Sequence, residues 1–347
     1  MKKLVMILLL TFSMTMPVNA ADLTAPTAPD QVQDLIPQET ESFSDGLLYV
    51  LKSAFQALNP EISAGCGICL SVIAAAVLTS LLSSFQGVSK SMAELVGSVM
   101  TACLLLGSAN ALIGDASSTV VELSEYGKLL LPVMTAALAA EGGVTGSAAI
   151  YTGTAVFDAI LCSVIRNVLL PLIYVFLALA TAHSALGEQI LKKIRDFIKW
   201  LSGWVLKTVL YVFTGYITIT GVISGATDQA ALKAAKLAIS GMVPVVGGIM
   251  SDASEAVLVS AGMVKNAAGV YGLIVIIAVA MGPFLRIGVQ YLLLKMTAAI
   301  CEMFSSKRIS ALVSDFSSAM GLLLAMTGAV CLLLMISVVC FMKGVNL

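Results

Sequence analysis

Charge is what this sequence has least of. Only 11% of its 347 residues are Asp, Glu, Lys or Arg, against 59% hydrophobic residues and a mean hydropathy of +1.00. Soluble domains carry about 25% charged residues, so an ordinary soluble fold is excluded. The 19 basic and 20 acidic residues cancel to a formal net charge of −1. No excess of Lys and Arg exists to hold a nucleic-acid backbone. A single histidine, His183, rules out a His-rich metal cluster, and at the end of an apolar run it reads as interfacial rather than catalytic. No phosphate-binding glycine loop is present, so energy, if used, comes from a partner or an ion gradient. Neither an enzyme activity nor a cofactor is expected. Cys66 and Cys69 have the spacing of a redox pair, but they open an apolar stretch without a βαβ pattern around them. With five more cysteines scattered over hydrophobic segments, they read as small core residues.

What is there is helical and apolar. Residues 1–20 run from Lys2-Lys3 through an apolar stretch to Val18-Asn19-Ala20, the order of a secretory signal peptide cut after Ala20; an uncleaved anchor is the alternative. Residues 21–42 carry Pro26, Pro29 and Pro37 among polar residues and read as a flexible exported arm. From Phe43 to Asn59 apolar residues recur at helical spacing, which predicts an amphipathic helix ended by Asn59-Pro60. Residues 60–347 then form a transmembrane domain.

The fold class is all-α, a polytopic membrane bundle. Windows of spanning length fall at about 62–85, 92–113, 155–182, 203–225, 268–292 and 319–342, giving six crossings. Two further apolar segments are broken: 129–150 by Pro132, Glu141, Gly142 and Gly143, and 237–258 by Pro244, Gly247 and Gly248. Each reads as a re-entrant hairpin, with full crossing as the competing reading. With both re-entrant and the mature N-terminus outside, Lys90, the Lys192–Lys199 cluster, Lys295, Lys307 and Arg308 all fall on the cytoplasmic side, in agreement with the positive-inside rule.

An offset of 112 residues lays Pro132 over Pro244 and Pro171 over Pro283, either an internal duplication or a coincidence of prolines. Each unit would contain a basic amphipathic segment in the cytoplasmic interface, 186–204 in one and 307–316 in the other. Broken segments at matching positions are pointers to a substrate path. Arg166 falls mid-span and Arg286 follows Pro283. An Arg at the bilayer centre costs about 2.5–3.5 kcal/mol, so each needs protein or water around it. Asp158, Glu94 and Glu141 are the candidate partners. The functional reading is a hydrated path; the structural one is a pair that fixes helix register.

Several stretches carry a resemblance: Leu130-Leu131-Pro132-Val133-Met134-Thr135 with Glu141-Gly142-Gly143-Val144-Thr145, Arg166-Asn167-Val168-Leu169-Leu170-Pro171-Leu172, Val243-Pro244-Val245-Val246-Gly247-Gly248 and Lys265-Asn266-Ala267-Ala268-Gly269-Val270. Together they resemble the stage III sporulation protein AE family of endospore-forming Firmicutes. The resemblance implies a multi-pass protein of the mother-cell membrane around the engulfed forespore. It also implies, as partners, other stage III sporulation membrane proteins and a cytoplasmic secretion-type ATPase, in a channel-like complex needed for forespore development. The alternative is a self-contained secondary transporter of a small solute, motivated by the broken segments and the two arginines.

Overall fold

A computed structural model describes residues 26–29, 32–33, 43–85, 89–140, 144–242, 247–304 and 307–343, with the backbone alone at 43, 144–146, 218, 220–242, 247–262, 264, 304 and 343. The expected signal peptide, most of the arm, and Glu141, Gly142, Gly143 and Pro244 lie outside the described residues. The helices are α1 (Phe43–Gln56), α2 (Leu58–Ser84), α3 (Lys90–Ala140), α4 (Val144–Val164), α5 (Leu170–Leu186), α6 (Gln189–Met242), α7 (Gly247–Phe304) and α8 (Lys307–Lys343). A π turn, Ile165–Leu169, joins α4 to α5 without a break. There is no strand among the described residues.

The amphipathic helix expected from Phe43 is α1. It stops at Gln56 because Pro60 lacks the N–H that the Gln56 carbonyl would accept. The chain bends at Ala57, whose N–H bonds the Ser53 carbonyl at 3.1 Å, and resumes as α2. Val50 and Ala54 are buried, and α1 packs on α7, leaving Leu48, Tyr49 and Phe55 exposed on its other face.

Five helical segments are long and apolar enough to cross a membrane: Leu58–Ser84, Lys90–Ala140, Ser147–Leu186, Lys265–Met303 and Lys307–Met342. They correspond to five of the six expected crossings. The sixth, 203–225, lies in α6 and runs into residues described by backbone alone. In each segment only 33% to 61% of the apolar window is buried by protein, so the rest faces outward, as lipid-facing surface must.

Two features differ from expectation. Pro132 does not break the chain: α3 continues through it for 51 residues, and Leu130, Leu131, Met134, Ala137 and Leu138 are buried on both sides of it. Proline costs one backbone bond and crowds the preceding turn, and packing of that turn against α7 and α8 outweighs the loss. Pro283 likewise sits inside α7. Pro171 directly follows the π turn, and because α4 runs on into α5 its missing N–H removes one bond from a continuous helix. Gly247 and Gly248 begin α7.

The two basic amphipathic segments also differ. Residues 189–204 are the first turns of α6, with no boundary before the spanning part. Their stripe of Ile190, Ile194, Phe197, Trp200 and Trp204 is exposed, while Arg195, Ile198, Ser202 and Leu206 on the opposite side are buried. The second segment is the start of α8, and its Ile309, Leu312, Val313 and Phe316 are fully buried. The pattern that read as an interfacial face is there a core face.

That helix is the axis of the bundle. From Ile309 to Phe341 its buried residues recur three or four apart, and it touches α3, α4, α5, α6 and α7. Small residues allow the closest approaches. A Cβ on Gly97 would collide with Thr79, and one on Gly153 would overlap the Tyr216 ring.

Candidate functional site

The few charges of this chain gather at two levels of the bundle. The first is the end where α3, α6 and α8 begin and α2, α5 and α7 finish. Glu94, in the second turn of α3, pairs with Arg308 in the first turn of α8, Nε to Oε2 3.2 Å. Beside them Ser184 of α5 donates to the Arg308 carbonyl at 3.0 Å, and the Ser98 hydroxyl of α3 lies 2.8 Å from that of Ser184. The α3, α5 and α8 helices are thus tied at this end by one arginine and two serines. The α5–α6 turn is closed by Gly187 at φ +78°, its N–H bonding the His183 carbonyl at 2.8 Å. Only glycine takes this backbone without strain, and a Cβ would also sit 2.7 Å from the Arg308 guanidinium.

About two turns further in, Arg195 of α6 bonds Asp315 of α8 through Nη1 and its neighbour Asp196 through Nη2 at 2.7 Å. The Arg195 side chain is only 8% exposed and that of Asp315 13%. Removing Arg195 would strand the Asp315 charge in a dry site, whereas Arg195 without Asp315 would keep its pair with Asp196. Lys199 donates to Ser318 at 2.9 Å along the same contact.

The second level lies along the helices, away from that end. Arg286 of α7 reaches Glu61 of α2 (Nε to Oε1, 3.1 Å) and Asp115 of α3 (Nη1 to Oδ2, 3.6 Å). All three side chains are about half exposed, so the cluster staples α2, α3 and α7 while staying wet. Pairs of this kind contribute at most about 1 kcal/mol each.

Beyond it, Asp158 of α4 is buried and accepts a 2.6 Å bond from Ser124 of α3. Cys162, one turn along, lies 3.9 Å from its other oxygen. Thr154 donates to Ser337 of α8 at 2.8 Å in the same region. These bonds join neighbouring helices inside the core.

The expected polar residues are therefore dispersed. Arg286 pairs with Glu61 and Asp115 rather than with Asp158 or Glu94. Glu94 belongs to Arg308, and Asp158 to Ser124. Arg166 is exposed in the π turn and makes no ion pair among the described residues. The residues that sequence reasoning missed are Glu61, Asp115, Arg195, Arg308 and Asp315. Arg195 carried a signal: on a helical wheel it falls with Ile198, Ser202 and Leu206, away from the apolar stripe, on a side holding small and aliphatic residues.

No group of three or more His, Cys, Asp or Glu that could hold a metal occurs among the described residues, and all seven cysteines are free thiols. A cavity of about 360 Å³ lined by Leu47 of α1, Ile277, Ala280, Met281 and Phe284 of α7 and Gly328, Cys331, Leu332 and Met335 of α8 is wholly apolar.

Residues 28–344 match the family model of stage III sporulation protein AE. The chain belongs to the stage III sporulation protein AE family. A curated relative of that name from Bacillus subtilis (strain 168) is 24% identical over 199 residues, 57% of this chain and 50% of the relative. The match spans about half the length of that relative. No solved structure matches. Family membership and five apolar helices together make this a sporulation membrane protein, in line with the resemblance carried by the Pro132, Arg166 and Lys265 stretches.

Proposed function

We propose that this family member is a packed, non-enzymatic subunit of a sporulation-specific channel or secretion-like complex that links mother cell and forespore. It resides in the mother-cell membrane around the forespore, with its mature N-terminus outside the cytoplasm. The observation that carries this reading is the filled axis. Phe176 of α5, Phe213 of α6 and Phe316 and Phe341 of α8 are fully buried, and at one end of the bundle Arg308 pairs with Glu94 while Ser184 joins Ser98 to the Arg308 carbonyl. A bundle of this kind serves as a scaffold around which partners assemble. Energy for transport would come from a cytoplasmic secretion-type ATPase, since no nucleotide site is recognisable in the sequence.

The transporter alternative rests on the broken segments and on Arg166 and Arg286; Arg286 is engaged by Glu61 and Asp115, and Arg166 is exposed in the π turn. An in-frame deletion in an endospore former should arrest development after engulfment. Purified protein in liposomes should move no small solute by itself. Normal spore yield from the deletion, or unaided solute uptake, would overturn the reading.

A further inference from the structure

The wholly apolar cavity beside α1 lies in the flank of the bundle and opens outward. Its floor is buried, at Ile277 and Ala280 of α7, while Phe284 and Leu332 on its rim are 40% and 52% exposed. Leu47 supplies the α1 wall, on a helix whose Val50 and Ala54 are buried and which packs on α7. Gly328 deepens the space, since within 4 Å of an added Cβ there would stand only Phe284 Cε2, at 3.6 Å. The remaining wall is soft. It is made by Met281 and by Cys331 and Met335, whose sulfurs are 3.8 Å apart, and such side chains re-pack readily around an irregular guest.

Neither emptiness nor water suits this site. The cost of an unfilled cavity grows with its volume, because the lining atoms lose their contacts. Water needs two to four polar partners, and the lining offers none. An extended peptide would bring backbone groups that nothing here could pair. One turn of helix, about 10 Å across and 5.4 Å long, takes up roughly 420 Å³. The cavity has only about 360 Å³.

A hydrocarbon chain meets none of these objections. At about 30 Å³ for each water-sized group, roughly a dozen methylenes fill the space. Lipid is also at hand, since α7 and α8 are both long and apolar enough to cross a membrane.

We propose that the groove between α1, α7 and α8 seats one acyl chain of a membrane phospholipid. The chain completes the contact of α1 with the two longer helices, and it is retained where lipid on the open faces exchanges. The inference uses the membrane character of the protein and not its proposed role in a complex.

To test it, full-length protein would be placed in vesicles of phosphatidylcholine and phosphatidylglycerol doped with a phosphatidylglycerol bearing a diazirine in mid-chain, irradiated, and digested for mass spectrometry. Adducts should be severalfold more frequent at Met281, Cys331 and Met335 than at Leu104 and Val175, which are exposed on α3 and α5 away from the groove. They should keep the glycerophosphate mass; its loss would point to a free fatty acid and overturn the assignment. Gly328→Leu should fill the groove and cut these adducts severalfold, leaving Leu104 and Val175 unchanged. Adducts spread evenly over exposed residues, or untouched by Gly328→Leu, would overturn the proposal. So would a crosslink from Leu332→Cys to a second copy in place of the lipid. Should Gly328→Leu fail to fold, the parent protein decides. In cholate, added dioleoylphosphatidylglycerol should slow alkylation of Cys331 by N-ethylmaleimide severalfold and leave the exposed Cys103 unaffected; equal slowing at both, or none at Cys331, would count against the lipid as decisively.

Discussion

Glu94 and Asp115 stand 21 residues apart on one helix, and each carboxylate is held by an arginine from the C-terminal pair of helices: Arg308 of α8 for Glu94, Arg286 of α7 for Asp115. The N-terminal and C-terminal parts of the chain are therefore joined at two heights by ion pairs of opposite character. Arg308 pairs where Glu94 is nearly buried, Arg286 where both carboxylates remain wet.

The buried pair at the closed end is the more consequential electrostatic contact. Arg195→Leu should cost roughly 3–5 kcal/mol, because Asp315 is left charged without its partner. Asp315→Leu should cost less, because Arg195 keeps its pair with Asp196. The double variant R195L/D315L should recover most of the loss, since an apolar pair avoids the desolvation of both ions. Chemical denaturation in detergent micelles would measure all three; equal loss in single and double variants would refute the account.

Gly187 has no tolerated replacement. Gly187→Ala combines a left-handed backbone, about 1–2 kcal/mol for a residue bearing a Cβ, with a collision against the Arg308 guanidinium. Thermal melting should fall clearly for Gly187→Ala. Adding Arg308→Ala should not restore the parent value, because Glu94 then loses its partner.

At Gly153 the three atoms nearest to an added Cβ all belong to the Tyr216 ring. Gly153→Ala overlaps the ring, and overpacking of this kind costs about 1–3 kcal/mol. In a Tyr216→Ser background the same change should be nearly silent, a non-additivity that a double-mutant cycle in micelles reads directly.

Ser124→Ala should cost about 1–3 kcal/mol, as it withdraws the hydroxyl that satisfies the buried Asp158 carboxylate. Asp158→Asn should be milder, because its carbonyl oxygen still accepts from Ser124. If Asp158 instead carried protons or cations, Asp158→Asn would abolish sporulation while leaving the melting temperature unchanged.

Arg286→Ala should lower stability by no more than about 1 kcal/mol, since its two partners are wet and exposed. Spore counts of the variant should stay near the parental value. A complete sporulation defect in a stably folded Arg286→Ala protein would return this residue to a transport path.

Much of this architecture was legible in the sequence, for a physical reason. A membrane span needs about 20 apolar residues whatever its neighbours do, so five of the crossings appeared from hydropathy. Amphipathic α1 and the polar turns at Lys90 and Lys307 appeared likewise. Continuity across Pro132 was not legible, because it depends on packing from α7 and α8, which local propensity does not contain. The same limit applies to Ile309, Leu312, Val313 and Phe316: a one-sided apolar stripe looks alike whether it meets lipid or protein. Arg166 and Arg286 stood out by cost, but their partners could not be named, since Glu61 and Asp115 are brought to Arg286 only by the register of three helices.

One consequence follows from the length of α3. A helix of 51 residues is a rod of about 76 Å, more than twice the thickness of a hydrocarbon core, and Pro132 leaves it unbroken. Pivoted where Arg308 grips Glu94, a tilt of about 5° would sweep the far end of such a rod through about 6–7 Å. A subunit built on such struts is mechanically a lever, able to report on one face of the membrane a small displacement imposed at the other.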